Sequence, residues 1–427
     1  MKRILFALFL MVSSFCALAQ DTLDVMFYNV YRFPSATPTQ REVLLRDILD
    51  AQLPDVFMVC ELETEEGADR ILNTSFSNAR VPYQRAAFVS NQSDTTDWLQ
   101  QMIYFNSNKF TLLNQQLYVT GVRDINRYTL LLNTTDVATD SVIFEFFVAH
   151  LKSSTGTANV TARFNMIDTF VNVLAQIPAD RNVFFAGDFN MYRSSELGYQ
   201  HLIDTLNRSH IMVDPIYGEG SWQDKPEFAY MHTQATRTSR TGFGLYGAGG
   251  GMDDRFDFIF MSKQLEDTSR SVFYVDSSYV AFGNNGNCLN MAVNNDSCSG
   301  VYDAFLRQNL HDMSDHLPVR LKLATTKTLG APPVDTSTSI PSINSATDFH
   351  ILGSNVVYNQ LSVIVKYANV PALNARISVI DILGNERLAS SIQQANGVYT
   401  FDVSALPSGV YFIRLSDATK SLKFVKP

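Results

Sequence analysis

Short apolar runs along the first three quarters of this 427-residue chain repeatedly end at an acidic, amide or imidazole side chain. Burying one unpartnered charged group costs several kcal/mol, so a single residue of this kind is usually a structural group with a local partner. Six such positions are hard to explain separately, because strand ends are where sheet proteins gather functional side chains. The pattern predicts one shared site, formed by Asn29, Glu61, His150, Asp188 with Asn190, Asp257, and Asp315 with His316.

The apolar runs alternate with helical segments, which favours a layered domain of sheets and helices over residues 20–324. Residues 39–53 and 160–177 repeat apolar side chains at helical spacing and are predicted helices. Runs rich in strand formers predict strands at 23–30, 56–60, 101–105, 118–122, 127–132, 142–150, 182–186, 256–261 and 319–323.

The composition changes after this region. Residues 325–348 are rich in Thr, Ser and Pro and are predicted to be a linker. Residues 349–427 contain short strand-like runs separated by turns, with no helical period, and predict a small β-sandwich.

The N-terminus has the pattern of a secretory signal peptide over residues 1–19. Lys2 and Arg3 precede a short apolar run, and Ala17-Leu18-Ala19 fits the small-x-small cleavage pattern. A membrane anchor is the alternative, but the run is shorter than the ~20 residues that span a bilayer. We therefore expect a secreted or cell-surface protein with no stable membrane span.

The cysteines fit an oxidising compartment. Cys288 and Cys298 lie close together in an Asn/Gly-rich loop and are expected to form a disulfide. Cys60 lies in an apolar run and is expected to be a buried, inert thiol.

The charge and the residue types restrict the chemistry. The net charge of −9 and the pI of about 5.3 argue against a nucleic-acid binder that relies on bulk positive charge. Oxygen ligands without Cys–His spacing favour Mg²⁺, Mn²⁺ or Ca²⁺ over zinc. A hard cation, imidazoles beside it and an Asp that orients water together predict hydrolysis of a phosphoester.

These segments, in this order, resemble the endonuclease/exonuclease/phosphatase superfamily, which has the fold of deoxyribonuclease I. The resemblance covers residues 21–322 and implies an α+β domain, a four-layer α/β/β/α sandwich, ahead of the small C-terminal all-β sandwich. Its motifs are Phe27-Tyr28-Asn29-Val30, Pro54-Asp55-Val56 leading to Glu61, Ala149-His150-Leu151, Gly187-Asp188-Phe189-Asn190, Arg255-Phe256-Asp257-Phe258-Ile259 and Ser314-Asp315-His316-Leu317-Pro318-Val319.

The resemblance implies a role for each site residue. Glu61 would be the principal metal ligand, with Asn29 and Asp315 close by, and Mg²⁺ the expected ion. The residue before this glutamate is usually Gln in the family. It is Cys60 here, which we interpret as a change in packing.

The remaining residues would act on water and phosphate. Asp188 would align or deprotonate the attacking water, and Asn190 would hold the phosphate. His316 would stabilise or protonate at the phosphate, with Asp257 fixing its tautomer. His150 would be a second phosphate-facing imidazole, as in the deoxyribonuclease, sphingomyelinase and inositol-phosphatase branches.

A glycine-rich segment at residues 241–251 has two interpretations, a flexible loop or a substrate-facing loop with Phe243 and Tyr246. Arg237 and Arg240 precede it and would either be solvated or contact a phosphate backbone.

The tail resembles the C-terminal sorting domain of type IX secretion, which would make the secretion machinery a partner. The resemblance rests on Val379-Ile380-Asp381-Ile382-Leu383-Gly384, the run 406–415 and the terminal Lys423-Phe424-Val425-Lys426. The alternative is an ordinary sandwich module that binds carbohydrate or protein.

The sequence thus favours a secreted, monomeric, divalent-metal-dependent phosphodiesterase, an endonuclease acting on DNA or RNA. A sphingomyelinase-like phospholipase or a small phosphate-ester phosphatase shares the same motifs. The third hypothesis is a non-catalytic surface adhesin that keeps the fold. The intact site residues argue against it.

Overall fold

The computed structural model describes residues 21–206, 208–240, 247–330, 348–351, 356–366, 377–381, 385–390, 398–415 and 421–427. The chain divides into two compact units, Met1–Pro332 and Pro333–Pro427. The predicted signal peptide and most of the predicted linker lie outside the described residues, so the predicted domain boundaries stay predictions.

The described residues of the first unit form two mixed sheets. Its strands are β1 Asp21–Phe33, β2 Val56–Leu62, β3 Tyr83–Arg85, β4 Gln100–Asn106, β5 Phe110–Tyr118, β6 Ile125–Leu132, β7 Ile143–His150, β8 Asn182–Asp188, β9 Met212–Val213, β10 Asp257–Ser262, β11 Val272–Tyr274, β12 Val280–Ala281 and β13 Val319–Thr325. The strand order is β11-β13-β1-β2-β4-β3 in the first sheet, where β12 also pairs with β13, and β5-β6-β7-β8-β10-β9 in the second.

Among the described residues, five α-helices accompany these sheets: α1 Arg41–Ala51, α2 Glu65–Arg70, α3 Thr157–Leu174, α4 Leu197–Ile203 and α5 Ala304–Met313. Short π- or 3₁₀-helical turns occur at Ile71–Ser75, Pro226–Met231, Lys263–Glu266 and Asp296–Cys298.

Alternating side chains of the second sheet enter two different cores. In β7, Phe146 belongs to the core shared with the first sheet, whereas Phe147 belongs to the core that contains Phe170 of α3. Because successive strand residues point to opposite faces, both faces of this sheet are buried. With α1 and α5 buried against the first sheet, the layers follow the predicted α/β/β/α order.

The predicted strand at residues 118–122 is wrong, because β5 ends at Tyr118. Thr120 closes a turn there: its hydroxyl donates to the carbonyl of Arg123 and accepts from the amide of Val122. Most residues of β5 are only partly buried, so the strand lacks the continuous apolar run by which the other strands were predicted.

The second unit is the predicted small β-sandwich. Two sheets, of order β14-β15-β18 and β17-β16-β19-β20, share one core that includes Leu361, Ile377, Phe401 and Ile413. The strands are β14 Asp348–Ile351, β15 Gln360–Lys366, β16 Ile377–Asp381, β17 Glu386–Ser390, β18 Val398–Asp402, β19 Gly409–Leu415 and β20 Ser421–Lys426.

Both cysteine predictions are confirmed. Cys288 and Cys298 form a disulfide, and Cys60 is fully buried. Burial raises the pKa of the Cys60 thiol well above its usual range, so the thiol is protonated and unreactive. Among the described residues, no helix combines the length and apolar character needed to cross a bilayer.

Candidate functional site

Strand pairing brings the predicted site residues together. In the parallel pair β1–β2, Asn29 lies opposite the residue that precedes Glu61. In the parallel pair β7–β8, His150 lies opposite Asp188, which also pairs with Asp257 across the antiparallel β8–β10 ladder. The polar residues therefore meet at one end of the two sheets, as the sequence predicted.

Asn29 joins the groups from the two sheets. Its Nδ2 lies 3.0 Å from Glu61 Oε1, 3.1 Å from Asp188 Oδ2 and 3.4 Å from His316 Nε2. The Asn29 Oδ1 accepts a hydrogen bond from the amide of Tyr31 at 3.0 Å, which keeps the amide nitrogen pointed at the carboxylates.

Two site residues have strained backbones. Glu61 and Asn190 have φ angles of 60° and 51°, a left-handed region that side chains with a Cβ rarely adopt. The amide of Arg32 donates to Glu61 Oε2 at 3.1 Å, and the amide of Asn190 donates to Asp188 Oδ1 at 3.1 Å. Such strain persists where surrounding contacts impose it, and it is concentrated at functional sites.

His150 faces the carboxylates through Nε2, which lies 3.5 Å from Asp188 Oδ2 and 3.9 Å from Glu61 Oε1. Among the described residues, its Nδ1 is buried without a hydrogen-bond partner. Glu61, His150 and Asp188 each offer one ligand atom, and these atoms lie within 4.8 Å of one another. This group could hold a metal ion, and it shares only Glu61 with the predicted metal set.

His316 forms a dyad with a buried aspartate. Its Nδ1 lies 2.7 Å from Asp257 Oδ2, and its Nε2 lies 3.7 Å from Asp188 Oδ2. The Asp257 amide donates to the hydroxyl of Thr233. The dyad therefore presents one nitrogen of His316 to Asp188 and commits the other to Asp257.

Asp315, which precedes this histidine, is buried beside Glu61. The amide of Ala248 donates to its Oδ2 at 2.7 Å. In the described part of the chain its Oδ1 is buried with no hydrogen-bond partner. An unpartnered carboxylate oxygen at this place fits the donor set of a divalent cation.

Burial shifts the pKa values of several groups in the centre. Burial raises the pKa values of Glu61 and Asp315, and it raises the pKa of Asp188 to about 7. Burial alone would lower the pKa of His316, but the carboxylates of Asp257 and Asp188 outweigh it and raise that pKa well above its usual range. Burial also lowers the pKa of His150 well below its usual range, so the two imidazoles differ in charge at neutral pH.

Gln234 is a site residue that the sequence reasoning missed. Its side-chain amide lies 2.6 Å from His316 Nε2. Gln234 follows no apolar strand, so it lacked the signal that revealed the other residues. The neighbouring Thr233, which bonds the backbone of Asp257, was missed for the same reason.

The glycine-rich segment is described only in part, because residues 241–246 lie outside the described residues. Arg237 is buried, and its Nε donates to the carbonyl of His311 at 2.8 Å. It also lies 3.6 Å from a carboxylate oxygen of Asp312. These contacts tie Arg237 to the end of α5, whereas Arg240 is exposed.

Comparison with known proteins gives two family matches. A model of the endonuclease/exonuclease/phosphatase family matches residues 26–316. A model of the secretion system C-terminal sorting domain matches residues 356–426, which confirms the predicted type IX sorting domain. No curated protein matches the sequence.

Several solved structures are similar to this chain. The human Nocturnin catalytic domain with bound sulfate is 16% identical, with a TM-score of 0.42, and the match covers 72% of this chain and 98% of that one. D. rerio TDP2 complexed with single strand DNA product is 14% identical, with a TM-score of 0.45 and coverages of 71% and 99%. An endonuclease/exonuclease/phosphatase from Beutenbergia cavernae DSM 12333 is 15% identical, with a TM-score of 0.42 and coverages of 95% and 99%.

Proposed function

Because the chain belongs to the endonuclease/exonuclease/phosphatase family, whose members hydrolyse phosphate esters with a divalent metal, we propose that it is a secreted phosphodiesterase that cleaves nucleic acid. One observation carries this proposal. Asn29 joins Glu61, Asp188 and His316 within 3.4 Å, so a ligand carboxylate, a water-orienting carboxylate and an imidazole surround one point.

The metal would be held by Glu61, with Asn29 and Asp315 beside it. Within the described part of the chain, Asp315 Oδ1 has no hydrogen-bond partner, and this oxygen and the raised pKa values of Glu61 and Asp315 fit a divalent cation. Oxygen donors of this kind favour Mg²⁺, with Mn²⁺ or Ca²⁺ as alternatives. When bound, the ion supplies Lewis acidity and offsets the charge that develops on the phosphate.

Asp188 would align and deprotonate the attacking water. Its pKa of about 7 suits a general base near neutral pH, because the ideal catalytic pKa lies close to the working pH. The amide of Asn190 donates to Oδ1, which leaves Oδ2 directed toward Asn29 and the imidazoles. The Asn190 side chain would hold a phosphate oxygen.

The two imidazoles would stabilise the phosphate from different charge states. His316, kept cationic by Asp257, would donate its Nε2 proton to a phosphate oxygen or to the leaving oxygen. His150, kept neutral by burial, would serve as a neutral hydrogen-bond partner of another oxygen.

A cleft beside the centre supports nucleic acid as the substrate. Trp98, Arg32 and Arg123 line a cavity of about 400 Å³, and the amide of Arg32 bonds Glu61. Trp98 is 66% exposed, and an exposed indole is a stacking platform for a base. Asp94 and Asp97 also line the cleft, and Asp97 forms an ion pair with Arg123 at 2.7 Å.

The decisive experiment is a substrate panel on the purified protein with Mg²⁺, Mn²⁺ or EDTA: plasmid DNA, RNA, sphingomyelin vesicles and a generic phosphodiester. We expect cleavage of nucleic acid that EDTA abolishes. Glu61→Gln should reduce the rate by orders of magnitude, because it removes a direct participant. Full activity in Glu61→Gln, or activity unchanged by EDTA, would refute the site.

Variants of the cleft test the substrate class. Trp98→Ala should raise KM for an oligonucleotide about 5- to 100-fold, the range of one lost stacking contact. Tyr217→Ala is the matched control, since Tyr217 is 62% exposed and does not line the cleft. A Trp98→Ala defect confined to sphingomyelin vesicles would instead favour the phospholipase.

The cellular location of the protein is indicated by its C-terminal sorting domain. The sorting domain supports a secreted or cell-surface protein, with the type IX machinery as its partner. We propose that residues 1–19 are removed on export. Mass spectrometry of the exported protein tests this, because an N-terminus before Gln20 would contradict it.

A further inference from the structure

Both ring nitrogens of His316 contact a neighbouring side chain. One of these side chains is Asp257 of the dyad, and the other is Gln234, which lies outside it. Asp257 Oδ2 lies 2.7 Å from Nδ1, and the amide of Gln234 lies 2.6 Å from Nε2. Imidazole and amide can bond in either protonation state of the ring. The amide donates to a bare nitrogen and, turned by about 180°, accepts from a protonated one.

The backbone of Gln234 is fixed from two sides. It forms isolated bridges with Asp254 and with His316. Its amide donates to the Asp254 carbonyl at 3.0 Å, and its own carbonyl accepts from the Asp254 amide at 2.8 Å. The preceding hydroxyl, that of Thr233, accepts from the amide of Asp257. One short segment thus positions both members of the dyad.

The nitrogen that Gln234 holds is the one that faces the reaction centre. His316 Nε2 lies 3.4 Å from Asn29 Nδ2 and 3.7 Å from Asp188 Oδ2. A phosphate oxygen that bonds His316 Nε2 must therefore share this nitrogen with the Gln234 side-chain amide or displace that amide. His150 differs, because within the described residues its Nδ1 has no hydrogen-bond partner.

We propose that Gln234 is a positioning residue that holds the substrate-facing nitrogen of His316 in the free protein and gives it up when phosphate binds. This inference rests on the proposed function in one respect, namely that His316 Nε2 meets the phosphate. In the free protein, a ring held only at Nδ1 would pivot about that bond, and the second bond fixes its plane.

Gln234→Ala should therefore change kcat and the affinity for inorganic phosphate in opposite directions, whereas a variant that merely disturbs the structure of the site would lower both. The value of kcat should fall about 10- to 100-fold, as for other residues that orient a functional histidine. Binding of inorganic phosphate should tighten about 5-fold, because phosphate no longer displaces a hydrogen bond.

The experiment uses the full chain with Mg²⁺. Isothermal titration calorimetry with inorganic phosphate gives the affinity, and a generic phosphodiester gives kcat and KM. Nitrogen-15 NMR of the histidine side chains should show a changed Nε2 signal for His316. Gln200→Ala is the matched control, since Gln200 donates its amide to the Ser194 carbonyl at 2.9 Å, and it should leave all three readouts unchanged.

Each outcome decides the inference. An unchanged kcat in Gln234→Ala overturns it. A lower kcat with weaker phosphate binding also overturns it, because Gln234 would then contact the phosphate directly. If the wild-type protein hydrolyses no ester, the proposed function fails, while the phosphate titration and the NMR signal still judge Gln234.

Discussion

Without a metal ion, the folded protein should lose stability as the pH rises from about 5 to 8. The pKa of Asp188 rises from its ordinary value of 3.8 to about 7. Between these values the unfolded chain has lost the Asp188 proton while the folded chain keeps it. The stabilisation of the folded state by the protonated Asp188 carboxyl is therefore complete below pH about 4, and it is lost as the pH rises through about 7.

The magnitude follows from the same two values. The difference between 3.8 and about 7 corresponds to about 4 kcal/mol, at about 1.4 kcal/mol per pH unit. Roughly 3 kcal/mol of this is lost above pH 5. The raised pKa values of Glu61, Asp315 and His316 act in the same direction. A divalent cation should oppose the loss, because it binds the ionised carboxylates.

Urea unfolding followed by tryptophan fluorescence measures this effect, with EDTA or Mg²⁺ at each pH. The chain has 2 tryptophans, Trp98 and Trp222. Both lie in the first unit, so the signal reports the unit that carries the centre. In EDTA, Asp188→Asn should make the fall in stability with pH less steep, while the contributions of Glu61, Asp315 and His316 remain. A stability in EDTA that is constant or rises with pH would refute the reasoning, as would an unchanged slope in Asp188→Asn.

Three further changes have expected outcomes. Asp257→Asn should lower kcat by roughly 100-fold or more and move the loss of activity at high pH to lower pH, because His316 loses the carboxylate that raises its pKa; a pH–rate profile identical to that of wild type would contradict this. Gly187→Ala should lower the free energy of unfolding by about 1–3 kcal/mol, since its Cβ would lie 2.2 Å from the Ala149 carbonyl oxygen, and a thermal melt equal to that of wild type would refute the clash. Cys288→Ser should cost about 2–3 kcal/mol through its lost disulfide, measured by urea unfolding, and the variant should then be insensitive to reductant.

The sequence predicted most of the centre because its residues carry a local signal. Asn29, Glu61, His150 and Asp188 each interrupt or end an apolar run. Strand pairing then fixes their neighbours without further information. The apolar runs by themselves indicated only a layered domain of sheets and helices, and the α/β/β/α order was implied by the family resemblance.

Other parts of the centre have no such signal. Gln234 reaches His316 because its backbone lies between Asp254 and the histidine, a contact across 82 positions of the chain. The amide of Ala248 that bonds Asp315 comes from a glycine-rich segment with no periodicity. Tertiary packing alone positions these groups, so a single sequence does not reveal them.

The position of Asn29 across the two sheets has a consequence for when the protein becomes active. Glu61 comes from the first sheet, whereas Asp188 and Asp257 come from the second. A partly folded chain in which only one sheet has formed holds half of the donors and cannot assemble the reaction centre. Catalytic competence therefore requires both sheets to be formed and packed against each other, so the reaction centre is a property of the whole first unit and of neither sheet by itself.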